Sequence, residues 1–112
     1  MAVTAKGLIN AKYAANAHAT EYTAPASTRT IIDKFTATNT DAGAQTITVN
    51  IIPAAGSYGG SNTIISALSI AAGATTDITQ MQNQILAAGD IIDVVASVAS
   101  KVVIRASGRE IT

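Results

Sequence analysis

The chain has 112 residues, with seven basic and seven acidic side chains, one histidine, and neither cysteine nor tryptophan. This length fits a single domain. The lack of cysteine excludes disulfides, cysteine–zinc sites and thiol catalysis. A net charge of zero argues against a protein that binds nucleic acid mainly by electrostatics. No run of 18 apolar residues is present, so we expect no membrane-spanning helix.

The composition favours β-strands. Isoleucine, valine and threonine supply 37 of the 112 residues, whereas leucine occurs only three times. These β-branched side chains fit a pleated, half-buried surface. Charged residues make up only 12% of the chain, so little electrostatic repulsion separates copies. We therefore expect either a subunit that packs against others or a monomer with an unusually neutral surface.

The first nineteen residues are alanine-rich and weakly periodic. We expect residues 1–19 to form an N-terminal arm or edge segment, with a short strand over 6–12. Residues 13–19 are expected to be a helical turn or extended chain. The β-sandwich domain is expected to comprise residues 20–112. The start of the chain lacks the basic and apolar regions of a secretory signal, so we expect synthesis in a cytoplasm.

Two strands are predicted next, over residues 20–24 and 30–39, separated by a turn at Pro25. Asp33 falls on the face of the second strand that we expect to be buried. Either a bulge shifts the register there, or the carboxylate is hydrogen-bonded. The apolar side chains expected on the buried face are Ile31, Phe35 and Ala37.

Residues 46–52 alternate clearly, and we expect them to form a hairpin with residues 30–39 through the turn at 39–43. The inward side chains are predicted to be Ile47, Val49 and Ile51. Residues 54–62 are rich in glycine and serine and predict a surface loop. Further strands are predicted over residues 63–70, 75–79, 90–97 and 101–107.

Residues 79–88 form the one plausible helix, and Gly89 stands where a left-handed cap would end it. The fold class is therefore all-β. We expect an antiparallel β-sandwich or jelly roll of about seven to eight short strands, with at most one short helix.

Few residues point to chemistry. His18 is the only histidine and cannot build a multi-histidine metal site. Asp90 and Asp93 lie at a strand entry, where Asp90 is expected to cap the turn after Gly89. No lysine follows the glycine-rich residues 56–61, which argues against a phosphate-binding loop. We expect no enzyme activity, no cofactor and no bound metal.

Seven residues are predicted to contact a partner. The outward apolar positions of three strands predict a patch, unless loops or the N-terminal segment cover it; they are Ile52, Val95 and Val103. Three basic residues recur every fourth position near the end of the chain, which places them on one face of a strand; they are Lys101, Arg105 and Arg109. Tyr58, at the tip of the glycine-rich loop, is predicted to touch a partner or a sugar.

The sequence resembles small jelly-roll structural proteins of tailed bacteriophages, most closely capsid decoration (cement) proteins. The likeness spans roughly residues 20–112 and lies in the spacing of strands and turns. It is carried by residues 22–26 leading into 30–32, then 35–40, 46–49, 85–92 and 103–110.

The resemblance implies a non-enzymatic virion protein on the capsid surface, made in the bacterial host cytoplasm. Its partners would be the major capsid protein and further copies of itself, as a dimer or trimer, without nucleic acid or membrane. Residues 1–19 are expected to become ordered on the shell or on a sister subunit. Alternatives are a neck, collar or tail component, or a small receptor- or glycan-binding β-sandwich.

Overall fold

A computed structural model describes residues 2–112. The chain folds into two antiparallel sheets that pack face to face as a sandwich. The strands are β1 (Val3–Tyr13), β2 (Thr20–Thr23), β3 (Arg29–Asn39), β4 (Gln45–Ile52), β5 (Thr63–Ile70), β6 (Thr75–Asp77), β7 (Ile85–Leu86), β8 (Ile91–Ala96) and β9 (Val102–Ile111). Two short 3-10 turns, Gly60–Asn62 and Thr79–Met81, complete the regular structure. The predicted all-β antiparallel sandwich is confirmed.

The first sheet, sheet A, has the strand order β1-β9-β3-β6, and β7 also pairs with β3. The second, sheet B, has the order β2-β8-β4-β5. Only β4–β5 and β6–β7 follow each other within one sheet; every other connection crosses to the opposite sheet. The side chains between the sheets are mostly isoleucine and valine, with Phe35 fully buried among them.

The predicted hairpin between residues 30–39 and 46–52 is wrong. Although both strands form, β3 belongs to sheet A and β4 to sheet B. Asn39 ends β3 fully buried, and its side-chain amide donates to the carbonyls of Gly43 and Ile70, each at 2.9 Å. Its Oδ1 accepts from the amide of Asp41 at 2.9 Å. This side chain satisfies the backbone groups that a hairpin ladder would have paired, so the chain can cross between sheets.

A bulge resolves the register question at Asp33. The pairing of β3 with β9 shifts between Ile32 and Lys34, and Asp33 itself is exposed. As a result Ile32 lies in the core and Ile31 lies half-buried on the outer face. The predicted inward position of Ile31 is therefore wrong, because the extra residue reverses the alternation on one side of the bulge.

The predicted helix over residues 79–88 is also wrong. Only the 3-10 turn forms, and the chain then runs along β3 as β7. The amide of Asn83 donates to the carbonyl of Ile32 at 2.7 Å, and the amide of Ile32 donates to the carbonyl of Gln84 at 3.0 Å. Pairing with β3 replaces the intrahelical bonds and buries Met81 and Leu86 completely, which a two-turn helix could not do alone.

The N-terminal segment is part of the sandwich. β1 forms the edge of sheet A beside β9 and contributes Leu8 and Ile9 to the core. Residues 14–19 contain no helix and run beside β8, where the amide of Ala96 donates to the carbonyl of Ala15 at 2.8 Å. No helix in residues 2–112 is long and apolar enough to cross a membrane.

Candidate functional site

The neutral net charge is arranged as local ion pairs. Within residues 2–112 each acidic residue except Asp90 has a basic partner within 4.0 Å. Five are ion pairs, namely Lys6–Glu110, Lys12–Glu21, Lys34–Asp77, Lys101–Asp41 and Arg109–Asp33. In the sixth, Asp93 contacts His18, which carries a charge only when it is protonated. Asp90 instead caps the turn as expected, accepting from the amides of Ala87 (2.9 Å) and Ala54 (3.1 Å). Little charge is therefore left free for long-range attraction of a partner.

Two guanidinium groups have no carboxylate partner in this part of the chain: those of Arg29 and Arg105. Both side chains are exposed, and both lie on the outer face of sheet A. Arg105 bonds only a backbone carbonyl, that of Ile9, at 3.2 Å. The outer face of sheet A thus carries the arginine side chains of residues 2–112 that no carboxylate neutralises.

Exposed aliphatic side chains gather at one end of this same face. Ile31 pairs with Ile85 of β7, and in the next row Val3 pairs with Ile111. Ile85 is 61% exposed and Val3 is 55% exposed, the highest values among the large hydrophobic residues described. We call this group the aliphatic patch; its members are Val3, Ala5, Ile31, Ile85 and Ile111.

A charged side chain crosses the aliphatic patch, and a cavity borders it. Arg109 lies between Ala5 and Ile31 in the register and binds both carboxylate oxygens of Asp33 at 2.9–3.1 Å. These hydrogen bonds raise the pKa of the Arg109 guanidinium. A shallow cavity of about 490 Å³, lined partly by Arg29 and Ile111, opens beside the patch. Apolar side chains interspersed with arginine are a common composition of a protein–protein contact.

A group of hydrogen-bonded polar side chains, which we call the staple, joins the two sheets beneath the patch. The hydroxyl of Tyr22, on β2, lies 2.7 Å from that of Thr30 on β3 and donates to Glu110 of β9 at 2.5 Å. Lys6 of β1 reaches the same carboxylate at 3.3 Å. Burial, and then the bond to Glu110, raises the pKa of Tyr22 to about 12. The staple fixes the end of sheet A that carries the aliphatic patch.

The outer face of sheet B is built differently. Asn50 and Asp93 are paired across β4 and β8, and both are buried although they point away from the core. Asp93 Oδ2 accepts from Asn50 Nδ2 and meets His18 Nδ1, each at 2.7 Å. The ring of His18 stacks on Tyr58, with 4.0 Å between centroids. The glycine-rich loop thereby folds back over this face and closes it.

Only part of this cluster could be found from sequence. Tyr58 was expected at a loop tip and is 44% exposed, but its contact with His18 was not expected. Thr20 pairs with Asp93, and Asp93 with Asn50, in one row across three strands. A single histidine and one aspartate 75 positions apart give no local signal of such a row. The described residues contain no group of three His, Cys, Asp or Glu side chains placed to hold a metal ion.

The three predicted apolar contact residues do not come together. Ile52 and Val95 lie on the outer face of sheet B, and Val103 lies on the outer face of sheet A. Ile52 is only 7% exposed, because the glycine-rich loop turns back over it near Gly56. Val95 and Val103 are half-buried. The three side chains therefore cannot form one patch, and loop cover, the alternative considered, explains Ile52.

The three basic residues are also used differently. Arg105 and Arg109 share the outer face of β9, as the spacing predicted, whereas Lys101 lies in the turn before that strand. Lys101 faces Asp41 at 3.8 Å and Arg109 binds Asp33, so Arg105 is the one without a carboxylate. That these residues, together with Tyr58, contact another molecule stays a prediction.

The sandwich was also compared with known proteins. No protein-family model, no curated protein and no solved structure matches the chain.

Proposed function

We propose that the chain is a non-enzymatic structural subunit of a virion, and that it acts as a capsid decoration protein bound to the major capsid protein shell. The observation that carries the proposal is the aliphatic patch on the outer face of sheet A. Apolar side chains as exposed as Ile85 and Val3, on opposite edges of one sheet with Ile31 and Ile111 between them, suit a contact covered by another protein. The resemblance to decoration proteins supplies the identity of that protein.

The arrangement of charge supports the same function. Because nearly every carboxylate is neutralised locally, many copies can lie close together on one lattice without mutual repulsion. Arg29 and Arg105 then offer two guanidiniums to carboxylates on the shell. The polar staple at Tyr22 holds the patch rigid, which lowers the entropy lost on binding.

The test is binding of purified protein to particles, from the source of the sequence, that lack it. Ile85→Asp places a charge at the most exposed apolar side chain of the proposed contact, and we expect it to abolish sedimentation with the particles. Val98→Asp is the matched control, because Val98 is also exposed (41%) but lies in the turn before β9, far from the patch. Equal binding by both variants would show that the patch is not part of the contact. No binding by the wild type would contradict the proposed function.

A neck, collar or tail component is the nearest alternative within the same class. The same patch would serve there, so only the number of copies per particle separates these positions.

A receptor- or glycan-binding module is the second candidate, and a different observation favours it. The exposed ring of Tyr58, backed by His18, offers an aromatic surface of the kind on which sugars stack. Dose-dependent binding to a glycan array that is lost in Tyr58→Ala and kept in Tyr13→Ala would support this function. Tyr13 is a suitable control because it is 51% exposed and lies in β1.

A further inference from the structure

The free edge of β1 is unusual among the sheet edges of the described chain. From Ala2 to Gly7 it pairs with β9 without interruption, ending in mutual hydrogen bonds between Ala2 and Thr112 (3.2 and 3.0 Å). The other edges are short or broken. β2, β6 and β7 have four, three and two residues, and the register of β5 against β4 is interrupted near Ala67, whose φ is +46°.

The outward-pointing backbone groups of this edge follow from the ladder. Ala2 exchanges both hydrogen bonds with Thr112, so Thr4 and Lys6, at the same alternation, also direct their backbone groups toward β9. The N–H and C=O groups of Val3, Ala5 and Gly7 therefore point away from the sheet. No hydrogen bond from elsewhere in residues 2–112 reaches these six groups.

This stretch also lacks the devices that protect an edge strand. It contains no proline, and the irregularities of β1 begin only after Gly7. Its one charged side chain, Lys6, is held by Glu110 at 3.3 Å. Residues 3–7 are exposed on both faces. A regular and unguarded edge of this kind is a template for another strand.

We propose that this edge pairs with the same edge of a second copy, antiparallel and centred on Ala5. A two-fold axis normal to sheet A sets Ala5 opposite Ala5 of the other copy and Val3 opposite Gly7. All six free groups of each copy then meet a complementary group in a single register, giving six backbone hydrogen bonds. At the two ends of the pairing, the side chain of Val3 faces Gly7 of the other copy, beside the exposed side chains of Arg105 and Asn10.

The partner is a second copy rather than an unrelated strand because the register is self-complementary. The sequence of residues 2–7 is neutral apart from the already neutralised Lys6, so two copies meet without repulsion. The two-fold axis keeps both outer faces on the same side. The dimer would therefore present two aliphatic patches in one continuous sheet, as a lattice-binding subunit requires, although the pairing itself does not depend on the virion function.

The first test is the mass of the purified chain measured by light scattering or analytical ultracentrifugation from micromolar to millimolar concentration. We expect a reversible rise from 11.3 kDa to twice that mass. Ala5→Pro removes an N–H that the monomer does not use, and it should stay folded and monomeric. Ala5→Thr keeps the N–H and should still dimerise.

A wild type that stays monomeric to millimolar concentration overturns the proposal, as does an Ala5→Pro variant that dimerises like the wild type. Should Ala5→Pro fail to fold, cross-linking decides. The chain has no cysteine, so Ala5→Cys introduces a single thiol whose partner would lie within disulfide range across the axis. Oxidation should give a covalent dimer at least tenfold faster than for the exposed control Val98→Cys, and equal rates would overturn the pairing.

Discussion

The outer faces of the two sheets use similar residues in opposite ways. On sheet B the chain covers itself: the glycine-rich loop turns over Ile52, and Tyr58 stacks on His18 above the buried Asp93. On sheet A nothing in residues 2–112 covers Ile85 or Val3, which remain more than half exposed. Outward apolar positions alone therefore do not identify a contact surface. What matters is whether a neighbouring loop is long enough to fold back over them.

The largest expected effect on stability comes from Gly108, on β9 beneath the aliphatic patch. A Cβ added at Gly108 would lie 2.1 Å from the carbonyl oxygen of Ile31 and 2.9 Å from Leu8 Cδ1. Gly108→Ala should therefore force β3 and β9 apart and lower the free energy of unfolding by about 3 kcal/mol. Gly43→Ala is the matched control, because nothing lies within 4 Å of a Cβ there. Denaturant unfolding that gives the same result for both would contradict this packing.

The next effect tests the closed face of sheet B. Asp93→Ala leaves Asn50 Nδ2 buried without its acceptor, and should lower the free energy of unfolding by about 2 kcal/mol. Asp33→Ala removes the exposed partner of Arg109 on sheet A, and should change it by less than about 1 kcal/mol. Chemical denaturation measures the free energy of unfolding of both variants. A larger loss in Asp33→Ala than in Asp93→Ala would contradict the proposed difference between the two faces.

A smaller effect is expected at the staple between the sheets. Tyr22→Phe removes the bonds to Thr30 and Glu110 and should lower the free energy of unfolding by about 1 kcal/mol at neutral pH. The pKa of Tyr22 is raised from 10.0 to about 12 in the folded chain. The unfolded chain therefore loses the phenolic proton first, and stability should fall as the pH rises from 10 to 12.

The Tyr22→Phe variant should show less of this alkaline loss than the wild type, because it lacks the phenol whose pKa is raised in the folded chain. The measurement is the midpoint of urea unfolding at several pH values. Identical pH profiles for wild type and variant would contradict the role given to Tyr22.

The smallest expected effect is on folding at the open patch itself. Because Ile85 is 61% exposed, Ile85→Thr should change the free energy of unfolding by less than about 0.5 kcal/mol. The same substitution should weaken binding to particles, since it removes apolar area from the proposed contact. A large loss of thermal stability would show that Ile85 supports the fold instead, and would weaken the distinction between the faces.

Strand positions followed well from the sequence, because β-branched alternation between turn residues is a local signal. In the predicted strand 101–107, for example, the side chains of Val102, Ile104 and Ala106 alternate with outward ones and are fully buried. Strand partners followed less well. The turn residues at 39–43 predicted a hairpin. The same residues also suit a turn after which the next strand lies in the opposite sheet, so they do not identify the strand partner. The side chain of Asn39 decided between them through a bond to Ile70, 31 positions away.

The candidate site shows the same limit. Spacing placed Arg105 and Arg109 on one face, but it could not show that Asp33 neutralises Arg109 from another strand. The aliphatic patch was missed because the bulge at Asp33 moved Ile31 to the outside and because residues 85–86 were assigned to a helix. Both errors hide the same pair, Ile31 and Ile85. A bulge depends on both paired strands. The sequence of one strand therefore does not show where a bulge changes which side chains face outward.

The most direct test of the proposed function is the number of copies of this chain in purified particles from the source, measured by quantitative mass spectrometry against the major capsid protein. A decoration protein should be present in hundreds of copies, in a fixed ratio to the shell subunit. A handful of copies in multiples of three, five or six would place it instead at the neck, collar or tail tip. Its absence from the particles would contradict the virion function and leave the binding module of Tyr58 as the better account.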